Sequence, residues 1–212
     1  MNRGGRLTTN RDQTAPHAAD SSLVGYSMGT GEITRYIAKN GTKRLRKAVL
    51  IGTLGPYLVK AADNPEGVDR KAFDDTRAAL KADRPATLME FLKNFYSVGG
   101  EDGKRVGERV IDANWAVGIG ASPIGTIACV VSWIEDFRKD IPRNDVPTMI
   151  IHGDDDRILP PDATSRRQAK MIYMGYRRWV RRRQAACSPS IIARMKVERI
   201  GTHDSKDMSH DP

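Results

Sequence analysis

The sequence predicts an α/β fold in which a parallel β-sheet is flanked by helices. Residues 48–51 form a continuous apolar run and residues 147–152 a mainly apolar one, and both are typical of strands that are buried on both faces. A third, short apolar run at residues 23–24 is followed, after residues 25–31, by a segment with helical periodicity at residues 32–40. Strand, helix and strand at this spacing indicate a right-handed crossover between parallel strands.

The long segment between the second and third runs is expected to be a helical cap. Its apolar residues recur with helical spacing in four stretches: 70–82, 86–96, 104–117 and 124–137. Pro85 and Pro123 each stand where a helix would begin, which is a position that favours proline. A block of helices inserted between sheet strands commonly shapes a substrate site, so we place a cap at about residues 53–145.

These patterns divide the chain into three parts. Residues 1–22 are polar and without period, and we expect a disordered lead-in. Residues 23–170 form the α/β core together with its cap. Residues 171–212 form an atypical basic C-terminal segment.

The positive charge of the chain belongs to one segment. The net charge is +9, yet residues 163–197 hold ten Lys or Arg and no acidic residue, so the remainder carries −1. Within this segment, residues 177–183 place one tryptophan among five arginines, and a module that binds nucleic acid or an acidic surface is one alternative function. Charge runs are usually solvated, and we do not expect nucleic acid as a partner.

Cysteine usage and hydropathy favour a cytoplasmic protein. Cys129 and Cys187 lie far apart without the spacing of a metal site, and no apolar signal-peptide core precedes residue 22. Residues 114–134 are uncharged, but glycines and Pro123 interrupt them. This pattern predicts two short helices around a turn and no membrane span.

Gly25, Ser27 and Gly29 form a G-x-S-x-G pentapeptide at the predicted strand-to-helix corner. This arrangement is a nucleophile elbow, in which a strained turn presents a serine hydroxyl at the end of the sheet. Small residues are expected on both sides, because a bulky Cβ would clash. Ser27 is therefore the candidate nucleophile, and the N–H of Met28 is a candidate oxyanion donor. The alternative is a chance pattern in a chain with 19 glycines.

A serine nucleophile needs a base, and a histidine base needs a carboxylate to orient it. Three acids, residues 154–156, follow the third predicted strand, where catalytic groups of such sheets collect, although a solvated turn or a helix cap would look similar. His203 follows a short strand-like alternation and is the candidate base, with a solvated histidine in a frayed tail as the alternative. His152, at the strand end, is expected to pack or to form hydrogen bonds.

Several stretches together resemble the cofactor-free haloperoxidase and arylesterase group of α/β-hydrolases. The resemblance runs from about residue 23 to residue 170, and it is carried by these sequences: VGYSMGTGE at 24–32, KAVLIG at 47–52, DNPEG at 63–67, GASP at 120–123 and HGDDDRILP at 152–160. It implies a serine esterase that also forms peracids from carboxylic acids and hydrogen peroxide, with hypohalite formed secondarily. It implies no metal, haem or other cofactor, and it leaves assembly into oligomers open.

The same resemblance implies site residues. Ser27 corresponds to the nucleophile, Met28 to an oxyanion donor and Asp156, the second acid of H-G-D-x-D, to the acid of a triad. The two uncharged cap helices around Pro123 would line an acyl pocket.

The two ends of the chain depart from this family. Residues 1–22 show no counterpart of the family's N-terminal strands or of its second oxyanion loop, and residues 171–212 lack its P-H-G histidine. We therefore expect a partial fold, apparently truncated or altered at both ends, with the elbow strand at a sheet edge. Loss of one oxyanion donor costs about 2.7–4 kcal/mol of transition-state stabilisation, so we expect weakened activity. A catalytically inactive remnant of a hydrolase is the remaining alternative.

Overall fold

The computed structural model describes residues 21–98 and 106–173, and the backbone alone of residues 175–180. The elements follow in the order β1 (Ser21–Tyr26), α1 (Met28–Asn40), β2 (Leu45–Ile51), α2 (Arg70–Ala82), α3 (Arg84–Phe95), α4 (Glu108–Gly120), α5 (Pro123–Trp133), a 3₁₀ turn (Ile141–Arg143), β3 (Thr148–Gly153), α6 (Ser165–Met171) and β4 (Gly175–Val180).

Within the described residues, the sheet has four parallel strands in the order β1-β2-β3-β4. Gly25 and Tyr26 at the end of β1 align with Leu50 and Ile51 of β2, so both strands end at the same edge. The α/β class and the parallel sheet are therefore confirmed. β1 is the terminal strand of the described sheet, as expected, and the side chain of Val24 is 67% exposed there.

The sheet continues past residue 170, which was the predicted end of the core. Strand β4, Gly175–Val180, pairs in parallel with β3 after a crossover through α6. The sequence does not predict this strand, because strands are recognised by hydropathy periodicity and the arginines interrupt that pattern.

Four helices are described between β2 and β3, where the cap was predicted: α2, α3, α4 and α5, with residues 99–105 outside the description. Helix α2 has the predicted bounds, whereas α3 begins two residues early because the side chain of Asp83 caps it by accepting from Ala86 N–H. Helix α5 begins at Pro123, and the hydroxyl of Ser122 accepts from Gly125 N–H. Helix α1 begins at Met28, a full turn before the predicted start.

The main hydrophobic core fills the space between the sheet and the helices. Its most buried side chains include Ile37 of α1, Leu50 of β2, Ile150 of β3 and Val130 of α5. Phe137 packs so closely against α1 that a Cβ at Gly31 would lie 2.6 Å from its ring. This contact joins the chain after the cap to the helix that follows Ser27.

Among the described helices, none alone has the length and hydropathy of a membrane span, although α4 and α5 would meet that test as a pair bent by 104°.

Candidate active site

Ser27 is the single residue between β1 and α1, at the edge where the strands end. Its backbone has φ 50° and ψ −121°, a region that residues with a Cβ rarely adopt. The turn is held by a bond of 2.9 Å from Ser27 N–H to the carbonyl oxygen of Ile51. The carbonyl oxygen of Ser27 accepts from both the N–H (2.9 Å) and the hydroxyl (2.6 Å) of Thr30. The predicted strained turn is present.

The two glycines of the pentapeptide have different structural roles. A Cβ at Gly25 would lie 2.7 Å from Cδ1 of Ile33 and 2.8 Å from the backbone oxygen of Gly29, so the strand and the helix approach too closely for any other residue. A Cβ at Gly29 would meet no described atom within 4 Å. The expectation that a Cβ would clash on both sides of Ser27 is therefore wrong for Gly29.

Asp156 is the buried member of the acidic run that follows β3. Its side chain is 4% exposed, whereas Asp154 and Asp155 are exposed. Oδ1 of Asp156 accepts from the N–H groups of Ile158 (3.0 Å) and Leu159 (2.8 Å). These bonds stabilise the ionised carboxylate and fix its orientation.

Ser27 and Asp156 line the same cleft, together with Tyr26, Gly52 and Phe95. The structure thus brings two of the three predicted catalytic residues to one place, although 129 positions separate them in the chain. The parallel arrangement explains this, because β1 and β3 end at the same edge of the sheet on either side of β2.

His152 forms hydrogen bonds through both ring nitrogens, as expected for a structural residue. Nδ1 accepts from Thr53 N–H (3.2 Å), and Nε2 lies 2.8 Å from the carbonyl oxygen of Leu159. A carbonyl can only accept, so Nε2 carries the proton and the ring is neutral. Burial lowers the pKa of His152, since the charged form is penalised away from water. Oδ2 of Asp156 is 3.5 Å from Nε2.

Met28 is the first residue of α1, where the N–H groups of the opening turn have no intrahelical partner. No acidic side chain stands in that turn to compete for them. Its assignment as an oxyanion donor stays a prediction. The candidate base, His203, lies outside the described residues, and it also stays a prediction.

A cavity of about 240 Å³ extends from Ser27 under the cap. Phe91 of α3 stacks on Trp133 of α5 with ring centres 5.9 Å apart, and Phe95 lies 6.0 Å from Phe91. These aromatic rings line the cavity together with Leu54, Leu58, Val68, Ala72, Phe73, Thr76, Asn94, Arg157, Ile158 and Leu159. The wall is therefore mainly apolar, as acyl-binding sites are.

This lining differs from the prediction that the two helices around Pro123 would form an acyl pocket. Within the described chain, α5 contributes Trp133 alone and α4 contributes no residue, whereas α2 and α3 supply most of the cap side of the wall. Helix α4 instead packs on α3, where Trp115 Nε1–H donates to the carbonyl oxygen of Pro85 at 2.8 Å. The amphipathic pattern alone does not show which cap helices face Ser27.

Metal-ligating residue types do not cluster in the part of the chain that the structure describes: no group of three or more His, Cys, Asp and Glu side chains is placed to hold an ion there.

The chain is similar to known proteins in both sequence and fold. Residues 20–172 match the family model described as alpha/beta hydrolase fold. A relative from Synechocystis sp., whose name assigns it to the non-heme chloroperoxidases, is 53% identical over 150 residues, which are 71% of this chain and 54% of that protein. A bifunctional esterase/perhydrolase from Acinetobacter calcoaceticus is 28% identical over 153 residues, covering 72% of this chain and 55% of the relative.

Solved structures show the same relationship. The crystal structure of bromoperoxidase from Bacillus anthracis is similar with a TM-score of 0.71 and 38% identity over 75% of this chain and 58% of that one. The chain spans about half the length of the curated relatives it matches. Because the family model covers well over half of the residues, with the elbow serine and the buried acid inside the match, the chain belongs to the α/β-hydrolase fold family, among relatives named as non-heme haloperoxidases.

Proposed function

We propose that this protein is a serine hydrolase that cleaves carboxylic esters by acyl transfer through Ser27. The observation that carries the proposal is the shared cleft of Ser27 and Asp156, with Ser27 held in a strained elbow turn and Asp156 buried and hydrogen-bonded. An apolar cavity that begins at the same serine supports an acyl group as the part of the substrate that is bound.

In the first half of the reaction, Oγ of Ser27 attacks the ester carbonyl carbon while its proton passes to the base, for which His203 is the candidate. The carbonyl oxygen becomes an oxyanion, which the N–H of Met28 at the helix start would stabilise. When the tetrahedral intermediate collapses, the C–O bond to the alcohol breaks, and the alcohol leaves with the proton from the base.

In the second half, water attacks the carbonyl carbon of the acyl-serine and gives its proton to the base; the bond between the acyl carbon and Oγ then breaks, Oγ of Ser27 takes the proton back from the base, and the carboxylic acid is released. If hydrogen peroxide replaces water, the same step releases a peracid. The peracid can then transfer one oxygen atom, with its proton, to a halide ion, which yields the hypohalous acid and the carboxylate, and no group of the protein changes its oxidation state. The names of the relatives, esterase/perhydrolase and non-heme chloroperoxidase, support this second reaction.

A fluorophosphonate probe tests the proposal, since it phosphonylates a serine only when that serine is activated. We expect labelling of the folded wild-type chain and none of Ser27→Ala, with ester hydrolysis lost in the same variant. Ser122→Ala is the matched control, because Ser122 caps α5 and does not line the cavity. A folded wild-type chain that stays unlabelled would refute the hydrolase and support an inactive remnant.

A further inference from the structure

A run of buried polar groups connects the elbow with the acid. The side chains of Thr30, Thr53 and His152 are all fully buried, at 0% exposure, and none of them takes part in the acyl transfer described above. Burying a polar side chain is unfavourable unless its hydrogen bonds are made, so the partners of these three residues are informative.

At the elbow end, the hydroxyl of Thr30 has three polar neighbours, one of which is the hydroxyl oxygen of Thr53 at 3.4 Å. The Thr30 hydroxyl donates to the carbonyl oxygen of Ser27 at 2.6 Å, and it accepts from the N–H of Leu54 at 3.0 Å. A hydroxyl has only one hydrogen, so its donor is fully used on Ser27. The elbow is thereby tied to the loop that follows β2.

The same loop is tied to β3 through Thr53, the residue before Leu54. The N–H of Thr53 donates to Nδ1 of His152 at 3.2 Å, while the hydroxyl of Thr53 bonds to Oε1 of Gln168 on α6. Gln168 is itself only 1% exposed. Residues 53 and 54 therefore form a bridge that contacts the elbow on one side and β3 on the other.

At the acid end, the bridge passes through the ring of His152. Nε2–H donates to the carbonyl oxygen of Leu159 at 2.8 Å, and the N–H of Leu159 donates to Oδ1 of Asp156 at 2.8 Å. These two bonds fix the peptide units before and after Leu159. His152 thus holds the loop against the strand, and the loop orients the carboxylate of Asp156.

We infer that Thr30 and His152 are positioning residues, which hold Ser27 and Asp156 in register through the bridge formed by residues 53 and 54. The inference rests on the proposed function, because it assigns these two residues to the same acyl-transfer site. Each of the two residues acts on the site through the groups to which it is hydrogen-bonded. These hydrogen bonds, together with the backbone of residues 53 and 54, connect the carbonyl of Ser27 without a break to the carboxylate of Asp156.

The elbow arm of the test uses two threonines on the same helix. Thr30→Val removes the hydroxyl and keeps the shape, and Thr34→Val is the matched control, because Thr34 is also buried and its hydroxyl also donates to a backbone oxygen, that of Thr30 at 2.8 Å. We expect Thr30→Val to slow fluorophosphonate labelling by about ten- to a hundredfold, Thr34→Val to label at the wild-type rate, and Thr30→Ser to restore labelling.

Equal labelling rates for the two valine variants, measured on the folded fraction, would overturn the positioning role of Thr30. Thr30→Val loses two buried hydrogen bonds and Thr34→Val loses one, so we expect the larger loss of Tm in Thr30→Val. Comparison of the folded fractions, together with the rescue by Thr30→Ser, separates positioning from stability.

The acid arm uses amide hydrogen exchange, which requires no catalysis. His152→Gln keeps an N–H donor near the position of Nε2, whereas His152→Leu does not. We expect the amides of Ile158 and Leu159 to exchange at least tenfold faster in His152→Leu and near the wild-type rate in His152→Gln. Unchanged exchange at Leu159 in a folded His152→Leu sample would overturn the inference, and if that variant does not fold, loss of protection at Leu159 in His152→Gln overturns it.

The continuity of the bridge is tested by exchange at a distance. In Thr30→Val we expect faster exchange at Leu54, its direct partner, and also at Leu159, which it reaches only through the bridge. A change confined to Leu54 would contradict the coupling. These outcomes separate the two proposals: an unlabelled wild-type chain refutes the hydrolase, while the exchange data still decide whether the bridge couples the elbow to the acid.

Discussion

The backbone N–H of Ser27 donates a hydrogen bond of 2.9 Å to the carbonyl oxygen of Ile51, the last residue of the neighbouring strand. With both the N–H and the carbonyl of Ser27 held, the serine is kept at φ 50°, and its position is set by β2 and α1 as well as by its own strand.

We predict that the free energy of unfolding of Ser27→Gly is about 1 kcal/mol higher than that of Ser27→Ala. Glycine adopts a positive φ without strain, and strain of this kind costs about 1–3 kcal/mol, of which part is offset by the greater freedom of glycine in the unfolded chain. Urea unfolding of both variants measures the difference. Equal stabilities would show that the turn is not strained.

We predict that Gly25→Ala is destabilised by about 1–3 kcal/mol and that Gly29→Ala is not. The added methyl at position 25 meets the backbone oxygen of Gly29 at 2.8 Å, and forcing extra atoms into packed structure carries a cost of this size. At position 29 the methyl has space within a helix, where alanine is favoured over glycine. A loss of stability for Gly29→Ala of the same size as for Gly25→Ala would contradict the geometry.

The positions of Ser27 and Asp156 in the fold can be predicted from the sequence, because both depend on local patterns. Ser27 lies between a strand end and a helix start, and Asp156 lies a fixed distance beyond a buried strand. Parallel pairing then places both at one edge of the sheet, whatever the details of the cap.

The bridge and the cavity wall depend instead on contacts between distant parts of the chain. Thr53 and Gln168 are 115 positions apart, and the hydroxyl of Thr30 meets the N–H of Leu54 through packing of a helix on a loop. The hydropathy periodicity of the sequence does not predict such long-range pairs. The same reason explains why the sequence does not predict that α2 and α3, and not α4, line the cavity next to Ser27.

We predict that Asp156→Asn lowers kcat for a p-nitrophenyl ester by roughly 10⁴-fold, the loss seen when a triad aspartate becomes an amide and the histidine takes the wrong tautomer. Asp155→Asn is the control, because the side chain of Asp155 is 49% exposed and pairs with Arg157 at 3.8 Å. Comparable losses for the two variants would reject Asp156 as the acid of the site.

We predict that the folded protein loses stability as the pH falls below about 6.5, the ordinary pKa of histidine. Burial lowers the pKa of His152 in the folded state, so the unfolded chain takes up the proton first, and stability decreases until the folded pKa is also passed. The slope is at most about 1.4 kcal/mol per pH unit for one group. Urea unfolding from pH 7.5 to 5 measures it.

His152→Gln is the control for this pH dependence, since glutamine does not titrate and can keep one of the two bonds. Its stability should change less over the same pH range than that of the wild type. An identical slope in the variant would assign the effect to other groups.

We predict that Trp133→Ala shifts the proposed ester hydrolysis toward substrates with longer acyl chains. Trp133 stacks on Phe91 across the cavity that begins at Ser27, and its removal lengthens the apolar space that an acyl chain can fill. One methylene in an apolar pocket is worth about 1–3 kcal/mol of discrimination, so the ratio of kcat/KM for p-nitrophenyl octanoate to that for the acetate should rise about tenfold or more. Trp115→Ala is the matched control, because Trp115 bonds to Pro85 and does not line the cavity. If both variants change the ratio equally, the acyl group is bound elsewhere.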